Sequence, residues 1–306
     1  MKKHVLISTQ MMIHDQQRFR NWLQAEGITA DFIMNDQFLS ECECLELPAI
    51  YDGWISGDDE ITKNVIDHLI PKLKIISKWG SGIDTIDKAY AIRSGVKITN
   101  SPGAFSDAVG ELAVGYLLSL TRGIIETHQS VISGGWPKKT YKTLVGMDVG
   151  FVGMGAIGQG AAKRLKGFGC KISYSDPIIS NLKYQKKELE ALFSQSEAII
   201  ITSDLNPSTY HLVNSNLLNK CKKNTFIINV SRGQIINETD LISSLNNGQV
   251  GGVALDVFEK EPINLENEIL KMPNVILGSH NANNTLDAVE KVHELTIRNL
   301  IKSLDN

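Results

Sequence analysis

The sequence has little cysteine, no block of one charge and no long apolar run. Cysteine occurs four times in 306 residues, as Cys42, Cys44, Cys170 and Cys221. Only Cys42 and Cys44 lie close together, as C-x-C, and no second Cys or His pair stands nearby. That is a poor zinc signature, and no metal site is expected. The pattern reads as reduced thiols in a cytoplasmic protein. Lys and Arg are scattered, and the formal net charge is -3. Neither nucleic acid nor an anionic membrane is therefore suggested as a partner. The longest apolar tract, AVGELAVGYLLSL at 108–120, contains Glu111. It falls short of the ~20 residues that a membrane span needs and reads as a buried helix. The apolar run after Lys2 and Lys3 is too short for a signal peptide. There is no internal repeat and no low-complexity linker.

What is present is the composition of a soluble globular chain, 42% hydrophobic and 21% charged, with length enough for two domains. Strand and helix signals alternate almost throughout. HVLIS (4–8), ITADFI (28–33), YDGWIS (51–56), LKIISKW (73–79) and VKIT (96–99) read as strands. Between the first two, Phe19, Trp22 and Leu23 fall at helical spacing and Gly27 closes the segment. Further helices are expected over 61–70 and 84–94. This predicts a small α/β lobe with a parallel sheet. A long helix is expected from about Phe105 to Thr127. A second, more regular series then follows: MDVGFV (147–152), CKISYS (170–175), EAIIIT (197–202), TFIINV (225–230), GGVALDV (251–257) and NVILG (274–278). Six strands with crossover helices is the count of a doubly wound dinucleotide-binding domain. The last segment, 285–304, is one amphipathic helix expected to return to the first lobe. The fold class is thus α/β, with two Rossmann-like or flavodoxin-like domains of parallel sheet and an active site expected in the cleft between them. The expected boundaries are 1–99 plus 283–306 for a discontinuous substrate-binding domain, and 100–282 for the nucleotide domain.

VGFVGMGAIGQG (149–160) contains Gly153-x-Gly155-x-x-Gly158. Alone, that pattern is weak. Here it follows a strand, opens a helix, and is followed 18 residues beyond Gly158 by Asp176 at the end of the next strand. In that context it is a dinucleotide fingerprint. Gly153 allows the tight turn, Gly155 lets the backbone approach a pyrophosphate, and Gly158 lets helix and strand pack closely. The amides of Ala156 and Ile157 point at the anion with the helix dipole behind them. Asp176 can accept hydrogen bonds from ribose hydroxyls, and its charge opposes a 2′-phosphate. The cofactor reading is NAD rather than NADP.

Three residues then fall after successive strands: Arg232 in NVSRGQII, Glu261 in LDVFEKEP and His280 after NVILG. Each alone is more often a surface or loop residue. In a parallel sheet, however, the carboxyl ends of successive strands lie along one edge, beside the cofactor crevice. Reduction of a 2-oxo acid uses this set. A guanidinium can hold a carboxylate through two parallel hydrogen bonds and polarise the carbonyl. The developing alkoxide needs a proton, and histidine, with an unperturbed pKa of about 6.5, can give it. A carboxylate beside the imidazolium orients it and favours the charged form.

On these residues the chain resembles the D-isomer specific 2-hydroxyacid dehydrogenase family and, within it, the phosphoglycerate dehydrogenases. The resemblance runs over nearly the whole chain. KWGSGIDTID (78–87) resembles the family's substrate loop, whose amides, here around Ser81 and Gly82, hold the substrate carboxylate. NSPGAFSDAVGELAVGYLLSLTR (100–122) resembles the helix leading into the nucleotide domain. The resemblance implies that Arg232 is the family arginine, that Val230 and Ser231 face the nicotinamide, that Asp256 binds its carboxamide, that Glu261 is the acid and that His280 is the proton donor. Two departures stand out. Asp204 replaces a proline in a run that lines the adenine site, and Asn281, Ala282, Asn283 and Asn284 follow the histidine where an apolar residue and glycine are usual.

For a phosphorylated substrate, Lys78 and the segment GGWPKKTYK (134–142), with Trp136, Lys138 and Lys139, would supply positive charge. In resembling proteins the tryptophan-bearing arm reaches the partner subunit of a dimer, so a homodimer is expected. The chain ends soon after the return helix, so serine inhibition through a C-terminal regulatory domain is not expected. The alternative substrates are glyoxylate, hydroxypyruvate or another small 2-oxo acid. A further rival is an NAD-sensing corepressor of the same fold. That reading predicts a disordered extension or a peptide-binding surface, and neither signal is present.

Overall fold

The computed structural model describes residues 2–180 and 183–305. The chain divides into two compact units, Met1–Phe105 with Thr285–Asn306, and Ser106–Asn284. The crossings fall slightly beyond the 99/100 and 282/283 positions read from sequence.

The first unit is built on a five-stranded parallel sheet. Its strands are β1 (Lys3–Ile7), β2 (Ile28–Phe32), β3 (Gly53–Ser56), β4 (Ile75–Lys78) and β5 (Lys97–Thr99), in the order β2-β1-β3-β4-β5. This is the flavodoxin-like order. Every residue of β3 and β4 is buried, as expected for central strands covered on both faces. The return helix Leu286–Leu304 packs on β3, β4 and β5. It buries Val292, Ile297, Leu300 and Leu304 at helical spacing, and Thr285 caps it by accepting from the Ala288 amide. Burial of each such Leu or Ile contributes about 1.5–3 kcal/mol. A buried carboxylate, Asp59, ties the strand ends together. It accepts from the Ser8 hydroxyl (2.5 Å), the Leu39 amide (2.8 Å) and the Gly57 amide (2.8 Å). A short helix, Glu41–Leu45, was not anticipated; Ser40 and Glu43 form a capping box at its start.

The second unit carries a seven-stranded parallel sheet. Its strands are β6 (Asp148–Val152), β7 (Lys171–Ser175), β8 (Gln185–Lys186), β9 (Ala198–Ile201), β10 (Thr225–Asn229), β11 (Val250–Leu255) and β12 (Val275–Leu277), in the order β12-β11-β10-β9-β6-β7-β8. The strand order reverses at β6, the switch point where a doubly wound sheet opens a crevice. Sequence reading gave six strands. The addition is β8, two exposed residues at the sheet edge, too short to show a hydrophobic pattern. It takes third place, so TFIINV forms the fifth strand of this domain and not the fourth.

The long helix expected from Phe105 to Thr127 is two helices, Ser106–Arg122 and Ile124–Ile132, bent by 60°. The break is at Gly123, whose φ of 54° ends the first helix. The first helix is largely buried and packs on the helix Ala156–Gly167. Among the described residues, no single helix is long and apolar enough to cross a membrane.

Candidate active site

β10, β11 and β12 are adjacent and parallel. Their last residues, Asn229, Leu255 and Leu277, are direct cross-strand partners. Arg232, Glu261 and His280 therefore all leave the sheet from one registered line.

Asn229 ends β10 fully buried, and it shapes the turn that presents Arg232. Its Oδ1 accepts from the Ser231 amide and hydroxyl (3.1 Å each), and its Nδ2 donates to the Arg232 carbonyl (2.9 Å). Arg232 is half-buried and donates through Nη1 to the Ser231 carbonyl (2.9 Å). Val230 and Ser231 are buried beside it. The next residue, Gly233, lies against the loop that carries Glu261. A Cβ on Gly233 would sit 1.8 Å from the Phe258 carbonyl carbon, so no other residue fits.

Glu261 uses both oxygens. Oε1 accepts from the Phe258 amide (2.9 Å), which fixes the carboxylate to its own loop. Oε2 stands 2.7 Å from Nδ1 of His280. A carboxylate only accepts, so Nδ1 carries the hydrogen and Nε2 is the nitrogen able to exchange a proton with a substrate. Both side chains are partly shielded, with 20% and 29% exposure. His280 has a φ of 54°, a left-handed conformation that a non-glycine residue adopts only when its surroundings impose it.

Asp256 imposes that conformation. Its carbonyl accepts from the His280 amide (2.7 Å), and its buried carboxylate accepts from the amides of Asn281 (3.3 Å) and Ala282 (2.9 Å). Tyr116, from the helix Ser106–Arg122, donates to Oδ1 (3.1 Å). Burial first, then the neighbouring Asp256 charge and the hydrogen bond to it, raise the Tyr116 phenol well above its usual value, so it acts as a donor throughout the working range. Sequence reading missed Tyr116 and this use of Asp256. The available signal was a phenol on a helix whose other buried residues, apart from Thr121, are small or aliphatic. Asn281, a departure from the family pattern, belongs to this turn: its carbonyl accepts from the Asn284 amide (3.1 Å) and its Oδ1 from the Asn284 side chain.

At the switch point, Gly153 has a φ of 87°, and a Cβ there would lie 2.6 Å from the Ser203 amide nitrogen. Gly158 is held against the Gly153 carbonyl, while the outward side of Gly155 is open. The amides of Ala156 and Ile157 begin the helix Ala156–Gly167, where backbone donors lack helical partners. Asp176 follows β7. Its carboxylate accepts from Met154 (2.8 Å), Ile178 (2.9 Å) and Ile179 (2.7 Å). Burial pushes its pKa up, but these amides and Lys186 outweigh that and hold it below the ordinary carboxylate value. A fixed anion beside an open glycine turn fits the adenosine ribose and pyrophosphate of a dinucleotide. Asp204, the other departure, is exposed in a turn where its carbonyl accepts from the Thr209 hydroxyl (2.7 Å).

Ser81 and Gly82 follow β4 in the first unit. The Gly80 carbonyl accepts from the Ser101 amide (2.8 Å), and the Ser81 carbonyl accepts from Asn100 Nδ2 (2.6 Å). Lys78, at the end of β4, is buried and paired with Asp58 at 2.9 Å. Lys138 and Lys139 are exposed, and Lys139 is paired with Glu126. The four cysteines are free thiols.

Comparison with known proteins adds to this geometry. Residues 114–282 match the family described as D-isomer specific 2-hydroxyacid dehydrogenase, NAD binding domain. The chain is 37% identical to a glyoxylate reductase of Thermofilum pendens, over 80% of this chain and 76% of that protein. It is also 37% identical to a glyoxylate/hydroxypyruvate reductase of Arabidopsis thaliana, over 80% of this chain and 77% of that protein. Among solved structures it is similar to the TT0316 protein of Thermus thermophilus, with a TM-score of 0.87 and 25% identity, covering 99% of this chain and 97% of the other.

Proposed function

The chain belongs to the D-isomer specific 2-hydroxyacid dehydrogenase family, NAD-dependent oxidoreductases acting on the CH–OH group, and on that premise we propose that it reduces a small unphosphorylated 2-oxo acid of the glyoxylate or hydroxypyruvate kind. The observation that carries the chemistry is the 2.7 Å contact between Glu261 and His280, built at the registered strand ends that also launch Arg232.

In this reading the amides around Ser81 and Gly82 hold the substrate carboxylate. Arg232 bonds that carboxylate and the carbonyl oxygen, which draws electron density from the carbon to be reduced. His280, protonated, donates from Nε2 to the oxygen as the C–O bond becomes an alkoxide, and Glu261 stabilises the imidazolium and holds its ring plane. In the reverse direction His280 starts neutral and accepts the hydroxyl proton. Bound NADH supplies the hydride. Ala156, Ile157 and the three glycines would hold its pyrophosphate, Asp176 its ribose, and Val230, Ser231 and Asp256 its nicotinamide end. Asp256 would serve there while its carboxylate also anchors the His280 turn.

The phosphoglycerate-like reading gives way to this alternative for two reasons. The similar curated proteins named above are glyoxylate or glyoxylate/hydroxypyruvate reductases. Of the lysines considered for a phosphate, Lys78 and Lys139 already face carboxylates. A homodimer and a cytoplasmic location are part of the proposal. Ile124, Ile132 and Trp136 expose 52%, 68% and 79% of their surface, and the helix Ile124–Ile132 buries no residue, which favours a partner subunit over bare solvent. The test is kcat/KM with NADH on glyoxylate, hydroxypyruvate and phosphohydroxypyruvate. Higher values on the two unphosphorylated acids support the proposal; preference for the phosphorylated one refutes its substrate half. NADH binding without turnover of any of them would favour the corepressor reading.

A further inference from the structure

His293 lies on the return helix, 4% exposed, and none of the roles assigned above falls to it. Its Nδ1 is 3.1 Å from the indole Nε1 of Trp79. Trp79 is itself buried and stands directly before Gly80, Ser81 and Gly82. An indole N–H can only donate. Nδ1 must therefore present a lone pair, so His293 is neutral and carries its hydrogen on Nε2. If the ring gains a second proton, two N–H groups face each other across 3.1 Å and the bond is lost.

We propose that His293 is a positioning residue for the substrate loop: as a neutral acceptor it fixes the Trp79 side chain and hence the 80–82 backbone, and its protonation releases them. This rests on the reading of Ser81 and Gly82 as the carboxylate-binding loop. Trp79 has few other polar ties near that loop. Its amide donates to the Ser56 carbonyl (2.9 Å), and its carbonyl accepts from Lys78 Nζ (3.2 Å). Its indole is otherwise packed on rings, with Phe105 at 5.7 Å and His293 at 5.8 Å between centroids. Rings can slide; the hydrogen bond sets the indole's rotation. Gly80, with a φ of 125°, gives the following turn no side-chain anchor of its own.

The surroundings of His293 favour the neutral form on balance. Phe19, from the helix Gln16–Ala25, covers the imidazole at 4.7 Å. The charged groups that act on it are Glu290 on its own helix, and Arg18 and Asp15 at the start of the facing helix. Glu290 and Asp15 favour the imidazolium and Arg18 opposes it, while Arg18 and Glu290 are paired with each other. Desolvation is the largest influence, and it places the pKa of His293 below 6.5.

The experiment reads the loop and the substrate separately, in the full-length enzyme. The indole N–H resonance of Trp79, assigned by its loss in Trp79→Phe, is followed by NMR from pH 8 to pH 5. The KM for glyoxylate is measured over the same range. Wild type should show the indole resonance titrating together with a KM that rises about 3- to 10-fold on acidification, the worth of one net hydrogen bond, relative to His293→Asn at each pH. In His293→Asn the side-chain oxygen stands near the place of Nδ1, accepts at every pH and does not titrate. That variant should keep a neutral-pH KM near wild type and lose the indole titration, with kcat unchanged. An indole resonance that does not respond to pH, or that titrates equally in His293→Asn, overturns the proposal. An indole that titrates while wild-type and His293→Asn KM values stay equal overturns the link to the substrate. Absence of turnover on any 2-oxo acid would instead count against the substrate reading, and the indole titration would still decide the hydrogen bond.

Discussion

At the scale of the residue, the site rests on one carboxylate and one imidazole. Glu261 is tethered by the Phe258 amide, so its charge is placed before any substrate arrives. Replacement Glu261→Gln keeps the shape and removes the charge. The kcat for 2-oxo acid reduction should fall on the order of 10- to 100-fold, part of what a general acid supplies. Because the imidazolium loses its counter-charge, the limb along which reduction declines with rising pH should move to lower pH. A pH profile of kcat/KM checks this, and an unmoved limb would break the pairing. In the proposed function Asp176 would act on the cofactor in the same local way. Held ionised by three amides, it would oppose a 2′-phosphate. Asp176→Ala should therefore narrow the preference for NADH over NADPH, measured as the ratio of the two kcat/KM values, by about tenfold or more, the effect of losing one close like-charge repulsion. A ratio that does not change would remove Asp176 from cofactor selection.

At the scale of the element, most of the molecule could be read from its pattern. Of the twelve described strands, all but β8 were expected from apolar runs in the sequence, and the His280 strand, though only Val275–Leu277 in structure, was visible because NVILG is flanked by turn residues. The Arg232, Glu261 and His280 set was legible because parallel strands deliver their carboxyl ends to one edge, and Asn229, Leu255 and Leu277 prove to be in register there. What escaped has physical reasons. β8 is two exposed residues and has no hydrophobic period. The break at Gly123 interrupts a sequence whose apolar spacing stays helical on both sides. Tyr116–Asp256 and Trp79–His293 are long-range polar contacts, and no local pattern encodes those. The packing of two loops was equally hidden. Gly233 touches the Phe258 backbone so closely that Gly233→Ala must push the Arg232 turn and the Glu261 loop apart. The expected outcome is destabilisation of about 1–3 kcal/mol, as for overpacking, with a disproportionate loss of kcat. Urea denaturation and steady-state kinetics on the same preparation check it, and wild-type values in both would show that the loops yield freely.

At the scale of the whole molecule, two properties follow. The buried His293 ties stability to pH. Its folded pKa lies below the unfolded value of about 6.5, so between the two the unfolded chain binds more protons. Its contribution is complete above about pH 6.5 and is lost as pH falls through the folded value. The stability difference between wild type and His293→Asn should accordingly move against wild type on going from pH 7.5 to pH 5.5, as read by thermal unfolding; a constant difference would contradict the linkage. The exposed Ile124, Ile132 and Trp136 form the surface that the proposed homodimer would cover. The measurement that tests the central claim most directly is the rate of glyoxylate or hydroxypyruvate reduction by His280→Gln, with NADH affinity measured on the same protein. The account predicts a kcat lower by about 10²- to 10⁴-fold with NADH binding unchanged, the loss of a positioned proton donor. A kcat within about twofold of wild type, where general-acid catalysis would be worth at least a hundredfold, would contradict it.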